Sequence, residues 1–247
     1  MNRWQYKTDK WNLQFGGKFL DEKRLGGQKG FKRSMRGEYG VDKLYGIGID
    51  SRRYEGFLKL GYLMPQYENT SMAWIVNYTD HNQDSYYGAR DYQARQQTVF
   101  ANYIFQSIFG NNENQKYSAG VTFNFDRFDE SFNDFDILAL KPTKRADFVR
   151  SERVIGAFFQ YTGAFWEKLT VMAGLRYDYH NLFGGFVTPR LHLAYAPDDF
   201  TMLKFSAGHG ARTANILADN SYLLASTNSV YVNNKLLVEH PEELDRL

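Results

Sequence analysis

Residues 168–212 read KLTVMAGLRYDYHNLFGGFVTPRLHLAYAPDDFTMLKFSAGHGAR. Leu169, Val171, Ala173, Leu175, Tyr177 and Tyr179 are apolar at every second position, and Thr170, Met172, Gly174, Arg176, Asp178 and His180 fall between them. A period of two held over a dozen residues is a strand with one apolar and one polar face. The pattern resumes at Val187, Pro189, Leu191, Leu193 and Tyr195 against Thr188, Arg190, His192 and Ala194. It returns at Thr201, Leu203, Phe205 and Ala207 against Met202, Lys204 and Ser206. The segment is a meander of two-faced strands, and what each face meets decides the fold.

In a soluble sandwich the apolar face packs inward and the polar face meets water. In an outer-membrane barrel the apolar face meets lipid and the polar face lines the lumen. Arg176, Asp178, His180, Arg190 and His192 suit a solvated surface and a lumen wall equally. Aromatic residues near the strand ends (Tyr177, Tyr179, Phe183, Phe186, Tyr195, Phe200) fit interfacial girdles better than a soluble core. The balance tilts to the barrel.

Here GLRYDYHNLFGGFVTPRLHLAYAP and FSAGHGARTANILADNSYLLAS resemble the C-terminal barrel half of TonB-dependent outer-membrane receptors, closest to the siderophore- and colicin-receptor-like subgroup. The resemblance extends back through RYEGFLKLGYLMP, SYYGARDYQARQQTVFANYIFQSIFGN and YSAGVTFNFDRFDE. It implies an all-β, antiparallel meander that is part of a transmembrane β-barrel in the bacterial outer membrane. It further implies uptake of a scarce small-molecule nutrient such as a metal chelate, a cobalamin-like compound or a saccharide. The implied partners are outer-membrane lipid, the receptor's plug domain and, through it, the TonB energy-coupling complex. Neither a cofactor nor catalysis is implied.

The bulk numbers agree. Of 247 residues, 17% are aromatic (20 Phe, 18 Tyr, 4 Trp), which suits a barrel with two aromatic belts better than a soluble domain. With 30 basic and 28 acidic side chains the net charge is +2, so nucleic acid is not a favoured partner. The chain has no cysteine, which excludes disulfide scaffolds and thiolate metal sites. No run approaches the ~18 apolar residues of a membrane helix. A negative mean hydropathy is compatible with a barrel, because half of each strand faces water. The first residues, MNRWQYKTDKWNLQF, contain no signal sequence; with the resemblance, that suggests a fragment of a larger receptor.

Along the chain, an alternating strand begins at Trp11, Leu13, Phe15, Gly17 and Phe19. A very long one runs from about Lys43 to Leu63. A third carries Trp74, Val76 and Tyr78, a fourth runs from Gln96 to Phe109, a fifth spans Tyr117 to Asp126 and a sixth Phe148 to Gly163. The segment above supplies three more, and a tenth is expected near residues 229–238. Long connections are expected at 25–42, 83–95, 131–147 and 212–227, and short ones at 64–69, 110–114, 164–167 and 197–199. The link at 182–185 is short where a long one is due. Sorting long loops to one end is the outer-membrane barrel layout. Nine or ten strands do not close a receptor barrel of roughly 22, so residues 1–247 read as one partial barrel domain without its plug.

No nucleophile elbow, zinc-protease pair or phosphate loop occurs. Asp126, Asp129, Glu130, Asp134 and Asp136 offer calcium-type oxygens without EF-hand spacing, and solvated loop carboxylates explain them as well. His180, His192 and Asp178 would form a metal or acid–base group only if they converged; a mixed polar lumen wall is the simpler reading. Ligand recognition is expected in the long loops, at Asp84, Tyr86, Tyr87, Arg90 and Tyr92 in one. In the other, Arg212, Asn215 and Asn220 match the family's ARTANILADN segment and by resemblance face the plug or ligand chamber. The remaining alternatives are a secreted sandwich binding glycans through exposed aromatics, and a barrel enzyme.

Overall fold

A computed structural model describes residues 2–38, 43–67, 69–110, 112–136, 141–142, 145–215, 219–220 and 224–225. Twelve strands form: β1 (Asn2–Lys7), β2 (Trp11–Gly27), β3 (Gly46–Leu63), β4 (Ser71–Tyr87), β5 (Arg90–Phe109), β6 (Asn112–Asn133), β7 (Phe135–Asp136), β8 (Lys141–Pro142), β9 (Ala146–Phe165), β10 (Leu169–His180), β11 (Gly184–Tyr195) and β12 (Leu203–Gly208). All but β7 and β8 join one antiparallel sheet in chain order, with β1 and β12 at its edges. β7 and β8 pair only with each other, in the connection between β6 and β9.

Register aligns the apolar sets of neighbouring strands into rows on one face. Trp4, Phe15, Leu58, Val76, Ala101, Phe123, Ile155 and Tyr179 are successive cross-strand partners. This face is turned out. On β10, Leu175, Tyr177 and Tyr179 are 58%, 51% and 56% exposed, whereas Asp178 and His180 are 4% and 3% exposed on the other face. A soluble sandwich would bury the first set and expose the second. The inversion has one stabilising environment, a lipid solvent around the apolar face.

The belt is diagonal to the strands. Phe19 is level with Arg127 and Ser151, while Val187 is level with Tyr177, Val121 and Leu13. The upper end of the continuous outward apolar run therefore falls by six residues over the seven steps from β2 to β11. That is about 20 Å across about 34 Å of sheet, a strand tilt of about 30°, near that of closed barrels. On β9 and β10 the outward apolar run spans eleven residues (Ile155–Phe165, Leu169–Tyr179), matching the ~9–11 that cross a bilayer.

Several expected boundaries need correction. The first sheet strand is β1, not the one starting at Trp11, and β2 continues to Gly27. Residues 83–95 are not a long loop: β4 and β5 run on to a tight hairpin with Gly88 in the left-handed region, φ 62°. β6 extends past Asp126 to Asn133, and β9 starts at Ala146, ahead of Phe148. Apart from β1, which is too short to show a period, the cause is common to all of them. Above the belt the outward residues become polar (Asp80, Asn82 and Asp84 on β4; Arg127 and Asp129 on β6), so alternation disappears while the backbone ladder continues. The connection 28–45 is long, and its described part folds onto the outward face. There Arg33 pairs with Asp50, Arg36 pairs with Asp84 at 3.1 Å and Asp91 at 2.7 Å, and Arg36 covers the Tyr86 ring. Asp84 above all, then Asp91, hold the Arg36 guanidinium protonated more firmly than usual. The strand expected at 229–238 lies outside the described residues.

Candidate functional site

The polar face carries a continuous hydrogen-bonded wall. Arg176 pairs with the buried Asp178 and donates to Thr122. Asp126 accepts from Gln96, Thr98 and Asn124. Arg190 donates to Gln160 at 2.7 Å, and His192 Nδ1 is 2.9 Å from the Ser206 hydroxyl. His180 Nδ1 accepts the backbone N–H of Leu182 at 3.0 Å, which places the ring proton on Nε2, facing Glu152 and Thr213, each at 3.4 Å. His180 and His192 do not converge. His180 is level with Gly184 and His192 lies eight residues further along β11, so the two are about 26 Å apart. No group of three His, Cys, Asp or Glu able to hold a metal occurs among the described residues. The acidic run alternates between faces: Glu130 hydrogen-bonds Tyr92 on the polar side, while Asp129 pairs with Arg127 on the outward side. The side chain of Asp136 lies outside the described residues.

Beyond β12 the chain returns across the polar face at its long-connection end. Thr213 reaches His180, and Arg150 donates to the Ala214 carbonyl at 3.3 Å. Arg212 and Asp219 pair at 2.7 Å, and the Asp219 carboxylate also accepts the Asn215 N–H. Further on, Leu224 packs with Tyr87, Tyr92 and Phe132 in the one buried apolar cluster of the described residues. Arg90, ion-paired to Asp134 at 2.6 Å, donates to the Leu224 carbonyl, and the Tyr45 hydroxyl donates to that of Ala225. Burial raises Tyr45 above its ordinary range, which keeps it a donor.

Between this segment and the upper wall of β4–β6 lies a cleft of about 390 Å³. Its walls include His81, Gln83, Tyr92, Gln96, Phe128 and Glu130 on one side, and Arg212, Thr213, Asn215 and Asp219 on the other. Of the residues nominated from the sequence, Tyr92, Arg212 and Asn215 meet here. Asp84 and Tyr86 lie on the outward face, Tyr87 and Arg90 sit in the adjacent buried cluster, and Asn220 follows Asp219 without lining the cleft. His81, Gln83, Gln96 and Phe128 are not singled out by the sequence, and Glu130 stands out there only as a possible calcium-type ligand. They occupy inward positions two apart, a signal readable only once β4–β6 are extended past the belt. The Nδ1 atom of His81 is buried with no hydrogen-bond partner among the described residues.

An outward apolar belt, an inward polar wall and strands running well past the belt are now joined by a direct comparison. Residues 2–243 match the model of the TonB dependent receptor-like β-barrel family. The chain belongs to that family. It is an outer-membrane β-barrel protein of the Gram-negative type. Among solved structures, the chain is similar to the alcaligin outer-membrane receptor FauA of Bordetella pertussis (12% identity, 80% of this chain, 32% of that one, TM-score 0.54). It is also similar to the outer-membrane transporter YddB of Escherichia coli (10% identity, 78% of this chain, 28% of that one, TM-score 0.54). At such identities the likeness is one of fold. The chain spans about a third of the length of these two proteins. Among curated proteins, none matches the sequence. The sandwich reading falls, because its apolar face would be buried.

Proposed function

We propose that this chain forms part of the barrel wall of an energised transport receptor. In this reading the lumen-side cleft captures a scarce small-molecule nutrient: a metal chelate, a cobalamin-like compound or a saccharide. A plug domain, moved by the TonB energy-coupling complex, then admits it. The observation that carries the reading is the position of the cleft. It opens on the polar face, at the end of the sheet beyond the lipid belt, where the long connections gather. It has the size of a small-molecule site, and it offers aromatic faces with a few convergent polar groups. The His81 imidazole and the amides of Gln83 and Gln96 are donors and acceptors suited to an oxygen-rich ligand. His81 and Glu130 serve this reading as recognition groups, with no catalytic step required.

The test places the complete receptor in a host outer membrane lacking its own receptors and supplies radiolabelled ferric chelates, cobalamin and oligosaccharides. One class should accumulate, and collapse of the inner-membrane potential should stop accumulation without stopping binding. His81→Ala and Gln83→Ala should each weaken binding about fivefold, the equivalent of one net hydrogen bond. Accumulation indifferent to both the potential and the two substitutions would contradict the proposal.

A further inference from the structure

The cleft is short of positive charge. Two arginines reach its walls, and each already has a carboxylate: Arg95 pairs with Asp80 at 2.6 Å and Arg212 with Asp219 at 2.7 Å. Arg53, the cross-strand neighbour of His81, is turned to Glu55 at 2.5 Å. Burial above all, then Arg53, lowers the His81 imidazole below its ordinary range, so it faces the cleft uncharged. Glu130 differs from these carboxylates. Among the described residues its hydrogen-bond partner is the Tyr92 hydroxyl, which donates to it at 2.5 Å, and no cation pairs with it. Burial, then Glu130 itself, raises Tyr92 above its ordinary range and keeps it a neutral donor.

The imbalance continues beneath the cleft. Asp126, on the same inward side of β6, accepts hydrogen bonds from the neutral groups of Gln96, Thr98 and Asn124. Its direct cross-strand neighbour on β9 is a third carboxylate, Glu152. One guanidinium, that of Arg150, serves this trio, and it lies against Glu152 at 2.6 Å. Like charges side by side destabilise a sheet. Two carboxylates left with neutral donors are therefore an arrangement that an incoming cation completes. Phe128 stands between Glu130 and Asp126 and already holds the Arg150 guanidinium 4.7 Å from its ring centre, so the aromatic surface here accepts a cation.

We propose that the cleft takes its ligand by a positively charged group, an ammonium or guanidinium seated at Glu130 with the Asp126 carboxylate beneath it. With the capture role proposed above as its basis, this narrows the ligand to an oxygen-rich body carrying a cationic arm, such as an amine-bearing metal chelate or an amino sugar. The amides of Gln83 and Gln96 meet the body, and Glu130 meets the arm. A polyanionic chelate would bring its charge against carboxylates that no cation offsets, and like-charge contact turns it away.

Two measurements on the complete protein test this, and neither uses energised uptake. A spin label at position 83 shares a row with Glu130 two strands away, about 10 Å off. In lipid at low ionic strength it should collide more often with cationic tris(ethylenediamine)nickel than with a neutral nickel chelate, and less often with anionic trioxalatochromate. E130Q should lower the cationic-to-neutral ratio roughly fourfold, the effect of one charge on a divalent ion at that distance in water. E130D should keep the ratio, and a label at position 188, far down the same face, should not respond to E130Q. In dodecyl maltoside, radioiron trihydroxamates with a free ammonium arm, that arm acetylated, or that arm succinylated should bind in that order. E130Q should close the gap between the first two, roughly fivefold for one exposed ion pair. A ratio that favours the anionic complex or ignores E130Q would overturn the proposal, as would equal binding of the three chelates, preference for the anionic one, or no binding of any. Should E130Q lose the heat-modifiable electrophoretic shift of a folded barrel, the wild-type ratio at position 83 decides. Accumulation that ignores the inner-membrane potential, with both charge orders intact, would count against the transport reading alone.

Discussion

Replacing Leu175 with arginine puts a guanidinium on the outward face near the centre of the belt. The outward run on β10 extends from Leu169 to Tyr179, and Leu175 lies one residue from its midpoint. It is thus within about 3 Å of the bilayer midplane. At that depth an arginine costs about 2–4 kcal/mol, falling to about 0–1 at the interfaces. Leu175→Arg should therefore lower folding stability by about 2–4 kcal/mol, and Tyr179→Arg, at the belt's upper edge, by at most about 1. Thr188→Gln is the matched control, since Thr188 lies on the inward face opposite Arg176, at nearly the same depth. It should change stability by no more than about 0.5 kcal/mol. Gly174 makes a poor control, because a Cβ there would come within 2.9 Å of the Arg190 side chain. The assay is denaturant titration of the complete protein folding into phospholipid vesicles. Equal penalties at Leu175 and Thr188, or no difference between Leu175 and Tyr179, would refute the assignment of the outward face to lipid.

Gly156→Ala should cost about 1–3 kcal/mol in the same titration, since its Cβ would fall 2.0 Å from Asp178 Oδ1 and 2.6 Å from an Arg176 nitrogen, forcing the buried pair apart. Trp166 and Glu167 hold the β9–β10 turn in the left-handed region at φ 52° and 57°; the double change to Asn-Gly should stabilise the hairpin by about 1 kcal/mol, seen as a higher unfolding midpoint. Arg90→Met should remove the ion-pair partner 2.6 Å from the buried Asp134 carboxylate and release the Leu224 carbonyl, at a cost of about 3–5 kcal/mol. Amide exchange should then accelerate at the β4–β5 hairpin and leave the belt unchanged.

How much of this was legible depended on what surrounds each stretch. Within the belt, lipid on one side and a polar lumen on the other impose strict alternation, so Leu169–Tyr179 and Tyr117–Phe125 could be read directly. Past the belt both sides are polar. Asp80–Asp84 and Arg127–Asn133 lost the period, and the hairpin joining β4 to β5 looked like a loop of thirteen residues. β1 is six residues long, with Trp4 and Tyr6 its only outward aromatics, too short a run for periodicity. The site suffered from the same cause. Tyr92, Arg212 and Asn215 were found through loop chemistry and family resemblance. His81 and Gln83 stay hidden, because their inward orientation follows only from the continued strands, and for the same reason Glu130 reads only as one carboxylate of an acidic loop. Convergence of the 212–219 segment on β4–β6 is a long-range contact, which no local pattern encodes.

Spin labels introduced one at a time at positions 170 to 179, in the complete protein reconstituted into lipid, test the central claim most directly. The chain contains no cysteine, so within it each label reports a single site. Collision with oxygen, which concentrates in lipid, should peak at 171, 173, 175 and 177. Collision with a water-soluble nickel complex should peak at the positions between. A profile of opposite phase, or one without a period of two, would contradict a barrel wall with its apolar face in the membrane.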